Sequence, residues 1–107
     1  MIDKIRIGGI DFDVNLVHDL RDNDGKKLDG RIIYGDCAIM IDDKLSHQAQ
    51  YQTLLHEIIH GILTTMGHDV DENTVDGMAY GWMQVIRDNP NLFMEISYNN
   101  HDYYNRG

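Results

Sequence analysis

Three residues in the run Leu54-Leu55-His56-Glu57-Ile58-Ile59-His60 have types and spacing that could do chemistry. On an α-helix, His56 and His60, four positions apart, lie on one face, so two imidazoles can bind one Zn²⁺ side by side. Glu57 lies about a quarter-turn round the helix. From there its carboxylate can reach a metal-bound water and act as general base. A catalytic zinc usually takes three protein ligands and keeps one position for water. A third ligand must therefore come from elsewhere in the chain.

The segment Asp71-Glu72-Asn73-Thr74-Val75-Asp76 offers two carboxylates four apart. Glu72 is the expected third ligand and Asp76 the alternative. His68 is a further candidate. A competing reading makes Asp69-Val70-Asp71-Glu72 a capping box, D-x-x-E, with Glu72 serving only the helix start. Only three of the eighteen acidic residues are Glu (Glu57, Glu72, Glu95), and two of these fall in this region.

With these residues in place, the chain resembles the gluzincin metallopeptidases, which carry HExxH on one helix and a Glu ligand on the next. In their thermolysin-type pattern, N-E-x-x-x-D, the resemblance implies that Glu72 binds zinc while Asp76 orients a ligating histidine. Asp71 stands where that pattern has Asn. Metzincin spacing would need Gly at 63 and His at 66, where this chain has Leu63 and Met66. Over residues 28–90, a G-x-I-x-Y strand, an I-x-I-D strand, T-L-L-H-E-I-I-H and a following acidic helix look like small phage- or prophage-type ImmA/IrrE-like zinc peptidases. That resemblance implies a cytoplasmic enzyme, in a bacterial host if phage-encoded, acting on a polypeptide such as a regulatory protein.

The elements that must position these residues read as α+β. Ile2–Ile7 and Ile10–Leu16 alternate apolar and polar residues around Gly8-Gly9, which predicts a hairpin. Arg31–Tyr34 and Cys37–Asp42 flank a Gly35-Asp36 turn and predict a second. The polar stretch His18–Asp29 is a loop. Its Asp22-Asn23-Asp24-Gly25 fails the EF-hand register, which would put Leu20 and Arg31 at ligand positions. Ser46 is a plausible N-cap for a helix over His47–Met66 whose stripe is Leu55, Ile58, Ile59, Ile62, Leu63 and Met66. Gly61 and Thr64 fall on the side away from that stripe. Gly67 is a natural stop.

A second helix begins near Asp69 or Asp71 and ends at Asn89-Pro90, with Val75, Met78, Ala79, Trp82, Val85 and Ile86 expected in the core. The expected fold is a small antiparallel sheet of two hairpins followed by two packed helices, forming one domain over residues 1–107. The tail from about residue 97 is expected to be flexible, and its Tyr98, His101, Tyr103 and Tyr104 to be solvated. Strand Ala38–Asp42 just precedes the zinc helix. As a sheet edge it would accept an extended peptide, and Pro at residue 40 would then raise KM.

Composition bounds the partners. The chain has 107 residues, 42% of them hydrophobic, and a net charge of −9. It has room for one small core. No basic cluster suits a nucleic-acid backbone. Mean hydropathy is −0.43, and no apolar run is long enough for a membrane span or a signal peptide, so neither a membrane nor export is expected. The single cysteine, Cys37, reads as a small apolar strand residue. Substrate, cleavage preference and oligomeric state are not legible. The competing function is a metal-stabilised protein-binding module that has lost turnover, although binding alone would not need Glu57.

Overall fold

Gly8 and Gly9 set the first reversal of the chain. Both have positive φ, +58° and +81°, as a two-residue hairpin turn of the twist-matching kind requires. They join β1 (Lys4–Ile7) to β2 (Ile10–Val17) as an antiparallel pair with Ile7 opposite Ile10. β3 (Gly30–Ile33) and β4 (Ala38–Asp42) form the second antiparallel pair. These elements come from a computed structural model that describes residues 1–98. The expected tail residues His101, Tyr103 and Tyr104 lie outside the described residues.

The strand order is β1-β2-β4-β3. Each hairpin is antiparallel as expected, but they join through a parallel pair, with Asp13 opposite Ala38 and Val17 opposite Asp42. The sheet is therefore mixed rather than antiparallel. The loop after β2 carries the chain past one strand position, β3 takes the outer place, and β4 returns between β2 and β3. The near-unbroken apolar run of β4 agrees with this: Ala38, Ile39, Ile41 and Asp42 are all buried, as suits a strand enclosed by neighbours.

Asp42 ties the loop to the sheet. Its carboxylate accepts hydrogen bonds from Leu20 N (3.0 Å) and Lys44 N (2.8 Å). The Asp22 carboxylate closes a local turn by accepting from Asp24 N (2.8 Å) and Lys26 N (2.9 Å). Cys37 lies in the β3–β4 turn at φ +50°, not in a strand as expected.

Helix α1 (His47–Thr65) starts at Ser46, whose hydroxyl accepts from Ala49 N at 3.2 Å. It ends in a Schellman arrangement around Gly67 (φ +78°), with Gly67 N bonded to Thr64 O and His68 N to Leu63 O. α1 buries two faces. Leu54 packs with Ile7, Phe12, Val14, Ile39 and Ile41 against the sheet. Ile59, with Leu55 and Leu63 beside it, packs on Val75 and Ala79 of α2 (Glu72–Asp88).

The apolar stripe expected from the sequence is the second face, except that Ile58 packs with the sheet-side cluster and Ile62 and Met66 are exposed. The sheet-facing side carries Gln50, Leu54, Glu57 and Gly61. Gly61 was expected away from the core and instead faces it. A Cβ there would lie 3.1 Å from Ile7 Cδ1 and 3.3 Å from Ile32 Cδ1, so the missing side chain lets the helix settle on the sheet.

Asp71 caps α2 by accepting from Thr74 N at 2.7 Å. Pro90, suited to a first helical position, opens a third helix, α3 (Pro90–Tyr98), where a tail was expected. Met78 and Trp82 were expected in the core and are instead 37% and 44% exposed. Trp82 packs edge-on against Phe93 of α3. Among the described residues, no helix is long and apolar enough to cross a membrane.

Candidate metal centre

The antiparallel packing of α1 and α2 brings the start of α2 against the middle of α1. His56 and His60 project from one face of α1, and their Nε2 atoms lie 3.1 Å apart. Glu72, the first residue of α2, places Oε2 2.9 Å from His56 Nε2 and Oε1 2.9 Å from His60 Nε2. Asp76, one turn later, puts Oδ1 2.7 Å from His56 Nδ1. A carboxylate accepts only, so the Nδ1–H tautomer of His56 donates to Asp76 and turns Nε2 toward Glu72 and His60.

Two imidazole nitrogens and the two oxygens of one carboxylate thus converge on one point. Such a cluster is held by cations, either protons or a metal ion. Four ligands about 2.05 Å from a zinc ion at tetrahedral angles would stand roughly 3.3 Å apart. The spacings here fit that donor set after small outward shifts. His56, His60 and Glu72 form the one such group of three among the described residues. The histidine side chains are 15% and 22% exposed while that of Glu72 is 73% exposed. The point of convergence is backed by protein on one side and open on the other.

Of the sequence candidates, His56, His60 and Glu72 come together, and Asp76 takes the orienting position behind His56. His68 stays outside the group. The capping-box reading of Glu72 is not realised, because Asp71 is the cap and Glu72 is the first helical residue.

Glu57 is only 7% exposed and faces the sheet beside Gly30. Burial pushes its carboxyl above the usual range. Charge on His56 and His60 and the Ile32 backbone N–H pull it back, and Glu72 adds to the rise. A Cβ on Gly30 would strike Thr53 Cγ2 and stand 3.4 Å from Glu57 Oε2. Gly30 is therefore the opening that admits the Thr53 side chain, with the Glu57 carboxylate in contact beside it.

These residues line a cleft of about 670 Å³ between β3, α1 and α2. Sequence reasoning missed several of its walls: Asp29, Gly30, Tyr34, Thr64 and Tyr80. Two were within reach of spacing alone, since Thr64 follows His60 by four and Tyr80 follows Asp76 by four. Tyr34 bridges the cleft at one end, donating to Thr64 Oγ1 at 3.0 Å.

The edge strand facing this cleft is β3. β4, which would have accepted a peptide only as a sheet edge, is hydrogen-bonded on both sides, with Met40 opposite Asn15 and opposite Arg31. Proline at 40 would break the sheet rather than raise KM. The bond from Asp42 N to Asp29 O fixes the alternation of the β3–β4 ladder. It leaves the backbone of Gly30 and Ile32 pointing away from β4.

No protein-family model, no curated protein and no solved structure matches the chain. The functional reading rests on the residues and their arrangement.

Proposed function

We propose that this protein is a zinc-dependent peptidase of the gluzincin kind, related in plan to the small ImmA/IrrE-like enzymes. The observation that carries the reading is the convergence of His56 Nε2, His60 Nε2 and the Glu72 carboxylate within 3.1 Å of one another, beside a buried Glu that their coordination does not use. His56, His60 and Glu72 would hold the ion. When bound, zinc supplies a Lewis acid for a carbonyl oxygen and lowers the pKa of a water to about 7.

The remaining steps belong to side chains and backbone. Asp76 holds the Nδ1–H tautomer of His56, which keeps Nε2 free for the metal. Glu57 takes the proton of the attacking water and hands it to the departing amine. Its raised affinity for protons suits both halves of that task. The outward Gly30 backbone and the Ile32 carbonyl of β3 would receive an extended polypeptide lying along the cleft as an added strand, while the Ile32 N–H stays with Glu57.

The test is metal content and peptide cleavage, with Glu57→Gln alongside wild type. Wild type should bind one zinc ion and cleave an unstructured peptide. Glu57→Gln should keep the metal and lose cleavage by ~10²–10⁴-fold. Metal without cleavage in both proteins would leave a metal-stabilised binding module. Failure of wild type to bind zinc would end both readings.

A further inference from the structure

α3 has no buried residue, although Leu92, Phe93, Met94, Ile96 and Tyr98 make up most of its nine positions. A helix this short does not persist in water by propensity alone; it needs a surface to pack on. Phe93 turns toward Trp82 of α2. Leu92 and Ile96, one turn apart on another face, are 45% and 62% exposed. Glu95 borders that face and is the only charged residue of α3.

The same molecule carries a matching surface elsewhere. Between α1 and the C-terminal half of α2 lies an open groove of about 400 Å³. Its walls include Tyr51, Leu55, Ile58, Met83 and Ile86, and its single charged residue is Arg87. A cavity of about 150 Å³ lined by apolar groups takes one benzene, so this groove has room for roughly two large apolar side chains. Among the described residues, no carboxylate lies within ion-pairing distance of Arg87. Among the described residues, one chain thus holds an unseated apolar helix face bordered by one acid, and an unfilled apolar groove bordered by one base.

We infer that the occupant is a second copy of this chain: α3 of one protomer lays Leu92 and Ile96 into the α1–α2 groove of its partner, with Glu95 against Arg87, and the exchange is reciprocal. A reciprocal exchange closes as a two-fold dimer and repeats each contact twice. The helix-in-groove mode needs anchors one turn apart, as Leu92 and Ile96 are. The metal cleft is lined by a different face of α1, so the inference stands apart from the catalytic reading.

Sedimentation equilibrium on the full chain, run from about 1 to 100 µM, tests this over the affinity range of such contacts. Wild type should form dimers. Ile96→Asp should be monomeric across the range. Arg87→Glu and Glu95→Arg should each weaken dimerisation about tenfold, and the double charge swap should recover it. Circular dichroism on each variant separates lost folding from lost association. A wild-type chain that stays monomeric overturns the inference, whether α3 then seats on its own groove or waits for a different protein. So does a dimer that tolerates both Ile96→Asp and Arg87→Glu.

Discussion

Asp76 shows how much one contact decides at the residue scale. Its carboxylate accepts a hydrogen bond from His56 Nδ1–H at 2.7 Å, and in the proposed function that bond would leave Nε2 as the nitrogen for a metal. Asp76→Asn can still accept a hydrogen bond, but it no longer carries charge to raise the basicity of the ring. Zinc affinity should fall ~10–100-fold, measured by competition with a chromophoric chelator, and cleavage should largely return at saturating zinc. Under the proposed function, Glu72→Gln should instead lose affinity without recovery of normal turnover, because it would replace a charged carboxylate ligand of the metal with a neutral amide. An equal response to the two substitutions would count against their separate roles. The H-E-x-x-H residues were legible from spacing alone. The division of labour between Glu72 and Asp76 was implied by the gluzincin resemblance rather than by spacing, because two carboxylates four apart on one helix face are equivalent until the other helix shows which histidine atom each one meets.

At the scale of elements, the close approach of α1 to the sheet rests on missing side chains. Gly61 faces Ile7 and Ile32, and Gly30 faces Thr53 and Glu57. Gly61→Val overfills the first contact and should destabilise the fold by about 1–3 kcal/mol, seen as a lower denaturant midpoint. Gly30→Ala should cost less stability, since Thr53 can turn. It should reduce turnover disproportionately, because the displaced atoms border Glu57. A Gly30→Ala protein with unchanged kcat would count against the close fit of Glu57 between helix and strand. The sequence pattern misread this side of α1 because Gln50, Glu57 and Gly61 are not apolar. Periodicity detects a greasy stripe, and the helix meets the sheet through small and polar residues instead. The same limit applies to α3: a proline after α2 reads as a stop, yet Pro90 also suits the first turn of a new helix.

For the whole molecule, acid is the natural stress. The Lys44 and Leu20 backbone amides hold the Asp42 carboxyl below its ordinary value, against the opposing effect of burial. Hydrogen bonds from Thr74, chiefly its backbone N–H, do the same for Asp71. A carboxyl whose folded pKa is depressed adds stability above its unfolded pKa, and that stability is lost as pH falls through the folded value. The fold should therefore hold its carboxylate contribution down to about pH 4 and lose it below, followed by circular dichroism in an acid titration. Asp42→Asn should flatten that part of the curve while lowering stability at neutral pH. An acid limb identical in wild type and Asp42→Asn would show that the clasp on the β2–β3 loop contributes nothing.

The sequence by itself determined the local features: the Gly8-Gly9 hairpin, the Ser46 cap, the Gly67 stop and the His56-Glu57-His60 spacing. Each depends on neighbours within a few residues, through φ, a cap hydrogen bond or the 3.6-residue helical turn. Tertiary structure decided everything that depends on which surfaces meet. It made β4 an interior strand and β3 the edge, gave the Glu72 carboxylate to two histidines and Asp76 to the back of one, and buried Glu57 against Gly30. It also left Leu92 and Ile96 of α3 exposed among the described residues. Strand order and helix docking follow from the total area that the assembled layers bury, a sum over distant segments that no local pattern contains.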